Sequence, residues 1–156
     1  MVKLLLFAPC EKLIVNKDEN TSSLITILET INIPALPTEE GVPEDSAVPF
    51  RWYACALWHA ETDEDYGPYE QRLKLITPDA RELFEAVIPF VFGPPHRNHR
   101  ITGFYPLFPI MPSGTAFVSL ELRRVAENIL DWQEIARFPI VIVRTEPPTT
   151  EQPKAS

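Results

Sequence analysis

Ready-made reactive chemistry is scarce in this chain: three histidines, two cysteines, two methionines and only five glycines in 156 residues. The cysteines, Cys10 and Cys55, form no close pair with metal-ligand spacing, which excludes a cysteine-rich zinc site or a disulfide scaffold. Each reads as a small buried hydrophobe suited to a reducing compartment, with a single bridge between the two left open. There is no glycine-rich phosphate loop, no nucleophile elbow and no HExxH. No stretch approaches the roughly 18 apolar residues of a spanning helix. Basic residues are also in deficit: 14 against 22 acidic ones give a formal charge of −8. A polyanion meets overall repulsion, and no Lys/Arg run with interleaved aromatics offsets it. Nucleic acid and membrane are therefore not expected partners.

Proline, in contrast, is abundant. Seventeen of them are about twice the usual share, and they recur between apolar runs: NIPALP, GVPEDSAVPF, YGPYE, ITPDA, FGPPH, PIMPSG. Because proline removes a backbone donor and breaks helix interiors and central ladders, the pattern cuts the chain into short extended pieces. The opening MVKLLLFAPC has too short an apolar run, followed by bulky Phe7 and cyclic Pro9, for a cleaved leader. It reads as a first strand, and a cytoplasmic location is the expectation.

The clearest strand is Phe50 to His59, FRWYACALWH, with Trp52, Ala54, Ala56 and Trp58 on one face and Tyr53, Cys55, Leu57 and His59 on the other. Both faces want cover, as in an interior strand, and a buried indole needs a partner for its N–H. In YEQRLKLI, Tyr69, Leu73 and Leu75 face inward against Glu70, Arg72 and Lys74. ITPDA is turn chemistry, with type I preferred to type II because Ala80 stands where glycine would better suit a left-handed residue. LFEAVIPFVF aligns Phe84, Ala86, Ile88, Phe90 and Phe92, and Pro89 on the opposite parity marks an edge or bulge. ITGFYPLFPIMP is extended, PSG is a turn, and TAFVSLEL aligns Ala116, Val118, Leu120 and Leu122. WQEIARFPIVIV closes the set.

SLITILETINI has apolar residues at helical spacing, but its isoleucines and threonines favour a strand, with KDEN at Lys17 to Asn20 as the hairpin turn before it. RRVAENIL at Arg123 to Leu130 fits one or two helical turns or a hairpin excursion. These elements predict an all-β, single-domain antiparallel β-sandwich, immunoglobulin-like or C2-like, of eight to nine strands over residues 1–145. A small barrel is the nearest competitor. Residues 146–156 read as a disordered tail.

Candidate sites are few. GPPHRNHR places His96, Arg97, His99 and Arg100 in one locally cationic stretch that could meet an anionic ligand or an acidic partner. Zinc asks for three or four ligands, and the third histidine, His59, lies in a strand far upstream, so no metal is assigned. Acidic clusters occur at Glu39 to Asp45 and Glu61 to Asp65. Asp63, Asp65 and Asp79 would be first candidates for calcium, without the pattern of a calcium loop. SGT at Ser113 to Thr115 has no base near it in sequence. The rigid aromatics Phe104, Tyr105, Phe108 and Trp132 are anchors for a partner where exposed.

The order of segments from Cys10 to Val143 resembles a little-characterised family of small bacterial and phage-associated all-β proteins of unknown function. The segments that carry it are CEKLIVNKDENTSSLITILETI, RWYACALWHAE, YEQRLKLITPDA, SGTAFVSLEL and WQEIARFPIVIV. The resemblance implies a β-sandwich with an Asp-Gly turn and a late strand beginning with glycine and an aromatic. This chain has Ala80 and Ala116 at those places. No catalytic residue carries over. The expected function is a non-enzymatic protein-interaction or structural accessory module, binding a protein partner or itself, without cofactor. The alternatives are a small-ligand or calcium-binding module and an enzyme of unidentified class.

Overall fold

The computed structural model describes residues 1–34, 46–126 and 131–145. The acidic stretch at Glu39 to Asp45, the end of RRVAENIL and the expected tail lie outside them. Nine strands run in order: β1 Val2–Asn16, β2 Thr21–Ile27, β3 Thr30–Ile33, β4 Ala47–Ala60, β5 Gly67–Ile76, β6 Glu82–Phe92, β7 Asn98–Pro109, β8 Gly114–Arg124 and β9 Gln133–Arg144. They form two sheets, β2-β1-β4-β7 and β3-β9-β8-β5-β6, which pack as a mostly antiparallel sandwich. SLITILETINI is extended, as its β-branched residues favour, yet it is two strands and not one. It breaks at Leu28 and Glu29, so that β2 stays in the first sheet and β3 joins β9 of the second, in parallel. KDEN is the hairpin turn between Asn16 and Thr21.

Strand β4 is interior, with β1 on one side and β7 on the other. Its even face is the core: Trp52, Ala54, Ala56, Trp58 and Ala60 are all buried. Two small residues between two indoles leave room for the leucines and valine of the facing sheet. Trp52 and Ala54 share one cluster with Leu73, Leu75 and Val118, and Ala56 and Trp58 share another with Tyr69, Phe90 and Leu120. Each indole finds the acceptor its burial demands. Trp52 Nε1 donates to the Leu107 carbonyl at 3.1 Å, and Trp58 Nε1 to Gln71 Oε1 at 2.8 Å.

That second bond explains Gln71, a polar residue at an inward position of β5. Outward on the same sheet, Glu70 meets Arg123 at 2.6 Å, Arg72 pairs with Glu121, and Lys74 lies 3.2 Å from Glu82. Trp132, just before β9, lies between the Arg72 and Arg123 guanidiniums at 4.3 and 4.4 Å from its ring centroid. Across β5 and β8 the outer face of the five-stranded sheet is thus a lattice of paired charges, with Val87 and Val91 of β6 and Val141 and Val143 of β9 exposed beside it.

Prolines sit on inner strands, with Pro9, Pro49, Pro68 and Pro139 in β1, β4, β5 and β9, and on outer ones. Pro89 lies in β6 and Pro106 and Pro109 in β7, both outermost strands, where a missing N–H breaks no inner ladder. The ITPDA turn closes with Ala80 N–H donating to the Thr77 carbonyl at 2.9 Å. Asp79 keeps a negative φ, as a type I turn requires, while Ala80 itself is left-handed at φ 65°. Opposite it, Gly114 has φ 139°, and a Cβ there would meet Pro78 Cβ at 2.8 Å.

Two substitutions should therefore move stability in opposite directions, read from urea unfolding midpoints. Ala80→Gly removes left-handed strain and should raise the unfolding free energy by about 0.5–1 kcal/mol. Gly114→Ala adds both strain and a clash with Pro78, and should lower it by about 1–3 kcal/mol.

Candidate interaction surface

GPPHRNHR crosses from β6 in one sheet to β7 in the other, through a tight turn closed by His96 N–H to the Gly93 carbonyl at 3.1 Å. Once β7 begins, successive side chains alternate between faces, so the four cationic candidates do not form one cluster. His96 lies in the turn and lines an open hollow of about 580 Å³ with Asn20, His59, Pro95, Arg97, Asn98 and His99. Arg97 is already engaged, donating to Asp63 at 2.6 Å and to the Ala60 carbonyl at 3.3 Å. His99 faces inward against Phe90, with ring centroids 5.0 Å apart, and burial holds its pKa below the ordinary value. Arg100 points outward, paired in register with Leu57.

The three histidines are likewise divided. His59 faces outward and shares a 2.7 Å hydrogen bond with Asn98 Oδ1, on the opposite side of the sheet from His99. Among the described residues, no group of three His, Cys, Asp or Glu side chains lies close enough to share a metal. The aspartates weighed for calcium are spent separately. Asp63 takes Arg97. Asp79 accepts from Thr77 Oγ1 at 2.6 Å and from Arg81 at 2.8 Å, which hold its carboxyl low. Asp65 Oδ2 accepts from the Met1 ammonium at 2.9 Å and from the Glu61 and Thr62 N–H groups at 3.0 Å. The ammonium is the main cause that holds the Asp65 carboxyl below its usual range.

The aromatic anchors also separate. Phe108 is fully buried in the first core cluster, which corrects its expectation as a surface anchor. The register slips between Pro49 and Trp52 in the β4–β7 ladder, so Phe104 and Phe108, four apart, end on opposite sides. Tyr105 stacks inward on Trp52 at 4.4 Å between centroids, and its ring lies so close over Gly103 that a Cβ there would meet the phenol oxygen at 2.7 Å. Trp132 sits in the ionic lattice of the other sheet. Phe104 alone of the four anchors is a largely exposed ring, at 53%.

Phe104 belongs to something larger. On the outer face of the four-stranded sheet, register joins Ile27, Cys10, Tyr53 and Phe104 in one row across all four strands. Tyr53 and Phe104 touch ring to ring at 5.1 Å. Ile27 is 46% exposed, and Leu107, further along β7, 51%. Cys10, Cys55 and Ala8 point to this side yet are buried. The hairpin explains why. Between Lys3, level with His59, and Asn16, a straight strand would run about 40 Å. Asn20 at the hairpin tip nonetheless lines the hollow that holds His59, so the β1–β2 arm turns back toward the outer face of its own sheet. Burial pushes both thiols to higher pKa, away from nucleophilic use.

The electrostatics of this face differ from the rest of the chain. Its outward positions on β1, β2, β4 and β7 hold Lys3, Lys12, Arg51, His59 and Arg100 and no carboxylate. Lys3 pairs with Glu61 from beyond the strand end. Among the described residues no carboxylate pairs with Lys12, Arg51 or Arg100. Sequence reading isolated Phe104 and Arg100 from this surface but missed Ile27, Tyr53, Lys12, Arg51 and Leu107. The available signal was the odd parity of Tyr53 in FRWYACALWH; the arm and the cross-strand row are tertiary.

His99 generates a pH test. A histidine held neutral by burial favours folding fully above its ordinary pKa of 6.5, and this contribution is lost as pH falls from there toward the lower folded value. Urea midpoints should drop between about pH 7.5 and pH 5.5, and His99→Phe, which keeps the stack on Phe90, should flatten that drop.

Neither a scan against protein-family models nor a search of curated proteins finds a match to this chain. What stands of the family likeness is its coarse part, a small all-β protein. No helix among the described residues is long and apolar enough to cross a membrane.

Proposed function

We propose that the chain is a non-enzymatic protein-interaction module that works through the outer face of the β2-β1-β4-β7 sheet. The observation that carries this is the half-exposed apolar row of Ile27, Tyr53 and Phe104, continued by Leu107, on a pleated surface with a rigid core behind it. Aromatic and aliphatic side chains fixed on strands lose little entropy on binding, and they are the residues on which binding energy concentrates. Several groups that chemistry could use are engaged structurally: the thiols are buried, His99 is stacked on phenylalanine, and Ser113 Oγ accepts the Arg144 N–H at 3.0 Å. Cytoplasmic location is part of this reading, as is an accessory or structural role of the kind suggested by the likeness in segment order to small phage-associated proteins.

Photo-crosslinking tests it. A photoreactive benzoylphenylalanine in place of Phe104 should give adducts with a partner protein in extracts of the organism that encodes the chain. The same group in place of Val91, more exposed than Phe104 but on the other sheet, should give few or none. Equal labelling from both positions, or no protein adduct from Phe104, would sink the reading.

A further inference from the structure

We infer that the partner docking on the four-stranded sheet is a protein surface with an apolar ridge flanked by carboxylates. This rests on the reading above and names the chemistry of its partner. A chain of formal charge −8 has placed cations and no carboxylate at the outward positions of one sheet. Lys12 follows Cys10 on the same side of β1, Arg51 is exposed between the core-packed Phe50 and Trp52 of β4, and Arg100 stands one outward step beyond Thr102 on β7. They flank the accessible members of the row, Ile27, Tyr53 and Phe104, while Cys10 between them is buried. On the opposite sheet every outward cation of β5 and β8 is matched: Arg72 and Lys74 share Glu121, and Arg123 takes Glu70. Among the described residues one face is neutralised from within and the other is not, and Asp18 and Glu19 of the hairpin turn form no ion pair with its cations. Cations that have no carboxylate partner among the described residues, set beside an apolar strip, steer an anionic partner to it and penalise a cationic one.

Other occupants fit less well. A second copy laid face to face would set Lys12, Arg51 and Arg100 against themselves. Edge-to-edge pairing through β6 and β7 is hindered by Pro89 and by Pro106 and Pro109, and pairing through β2 or β3 would leave the outer face of the sheet uncovered. Nucleic acid would meet Ile27, Tyr53, Phe104 and Leu107 in place of the dense basic track that a phosphate backbone requires. An anionic bilayer shares the local charge, and the test below separates it.

The experiment uses the full chain carrying the photoreactive group at position 104, in the same extracts. Adduct yield should fall at least about fivefold as sodium chloride rises from about 50 to 500 mM, because exposed charge pairs are screened over that range. Lys12→Glu combined with Arg51→Glu, both at exposed positions, should lower the yield by about tenfold at low salt. If that pair disturbs folding by circular dichroism, Lys12→Gln with Arg51→Gln and the salt series on the unaltered surface decide the matter. The labelled partner peptides should carry Asp or Glu beside apolar residues. Protein adducts whose yield ignores both salt and charge reversal would overturn the inference while leaving the interaction reading standing. Loss of every protein adduct would overturn both. Transfer of the label to vesicles containing about 30 per cent phosphatidylserine, or to a second copy of the chain, would overturn the inference in favour of a membrane or of self-association.

Discussion

A single hydrogen bond across the interior, Trp58 Nε1 to Gln71 Oε1 at 2.8 Å, governs how the two sheets face one another. Both groups are buried, so each would suffer the desolvation of an unmade bond if the sheets slid by one residue. Apolar packing alone tolerates small shifts of one layer over the other; a buried donor and its acceptor do not. With β4 pinned to β5 at this point, Trp52 falls beside Tyr105, Phe84 and Phe108, and the second cluster closes around Phe90 and Tyr69. The outward row of Tyr53 and Phe104 inherits its place from the same constraint, because side chains on the reverse of a pinned strand cannot change sides.

The two outer faces use opposite strategies. Across β5, β8 and β9, charge meets charge, and Trp132 fills the gap between two guanidiniums. Val87 and Val91 on β6 and Val141 and Val143 on β9 lie exposed beside that lattice, so the two faces differ in charge pairing and not in the presence of apolar surface. Across β1, β4 and β7, apolar and aromatic side chains remain partly wet and the cations beside them are unneutralised among the described residues. This contrast in charge pairing, more than the exposure of any one residue, supports the proposal that the second face binds.

Much of the fold was legible because alternation is local. FRWYACALWH declares its core face by period two, and TAFVSLEL and LFEAVIPFVF do the same; Pro89 on the off-parity correctly marked β6 as an edge strand. What was not legible depends on partners distant in sequence. Gln71 looks like a fault in an alternating strand until Trp58 is opposite it. Phe108 shares the parity of Phe104 and was read with it; only the slip in the β4–β7 ladder sends one inside and leaves the other out. His96, Arg97, His99 and Arg100 are neighbours on paper, but a strand deals alternate residues to opposite faces. The apolar row itself draws one residue from each of four strands, so no window of sequence contains it.

The parallel pairing of β3 with β9 has a consequence for the order in which the molecule can assemble. Thr30 finds its neighbour in Val141, so a segment made early in synthesis must wait for nearly the whole chain before its ladder exists. Closing so wide a loop is entropically demanding, and topologies of this kind fold slowly. Until then Ile31 and Ile33, which end wholly sequestered, have nowhere to go. The hairpin of β1 and β2 closes only a short loop, so the break at Leu28 and Glu29 separates a ladder that is cheap to close from one that is not.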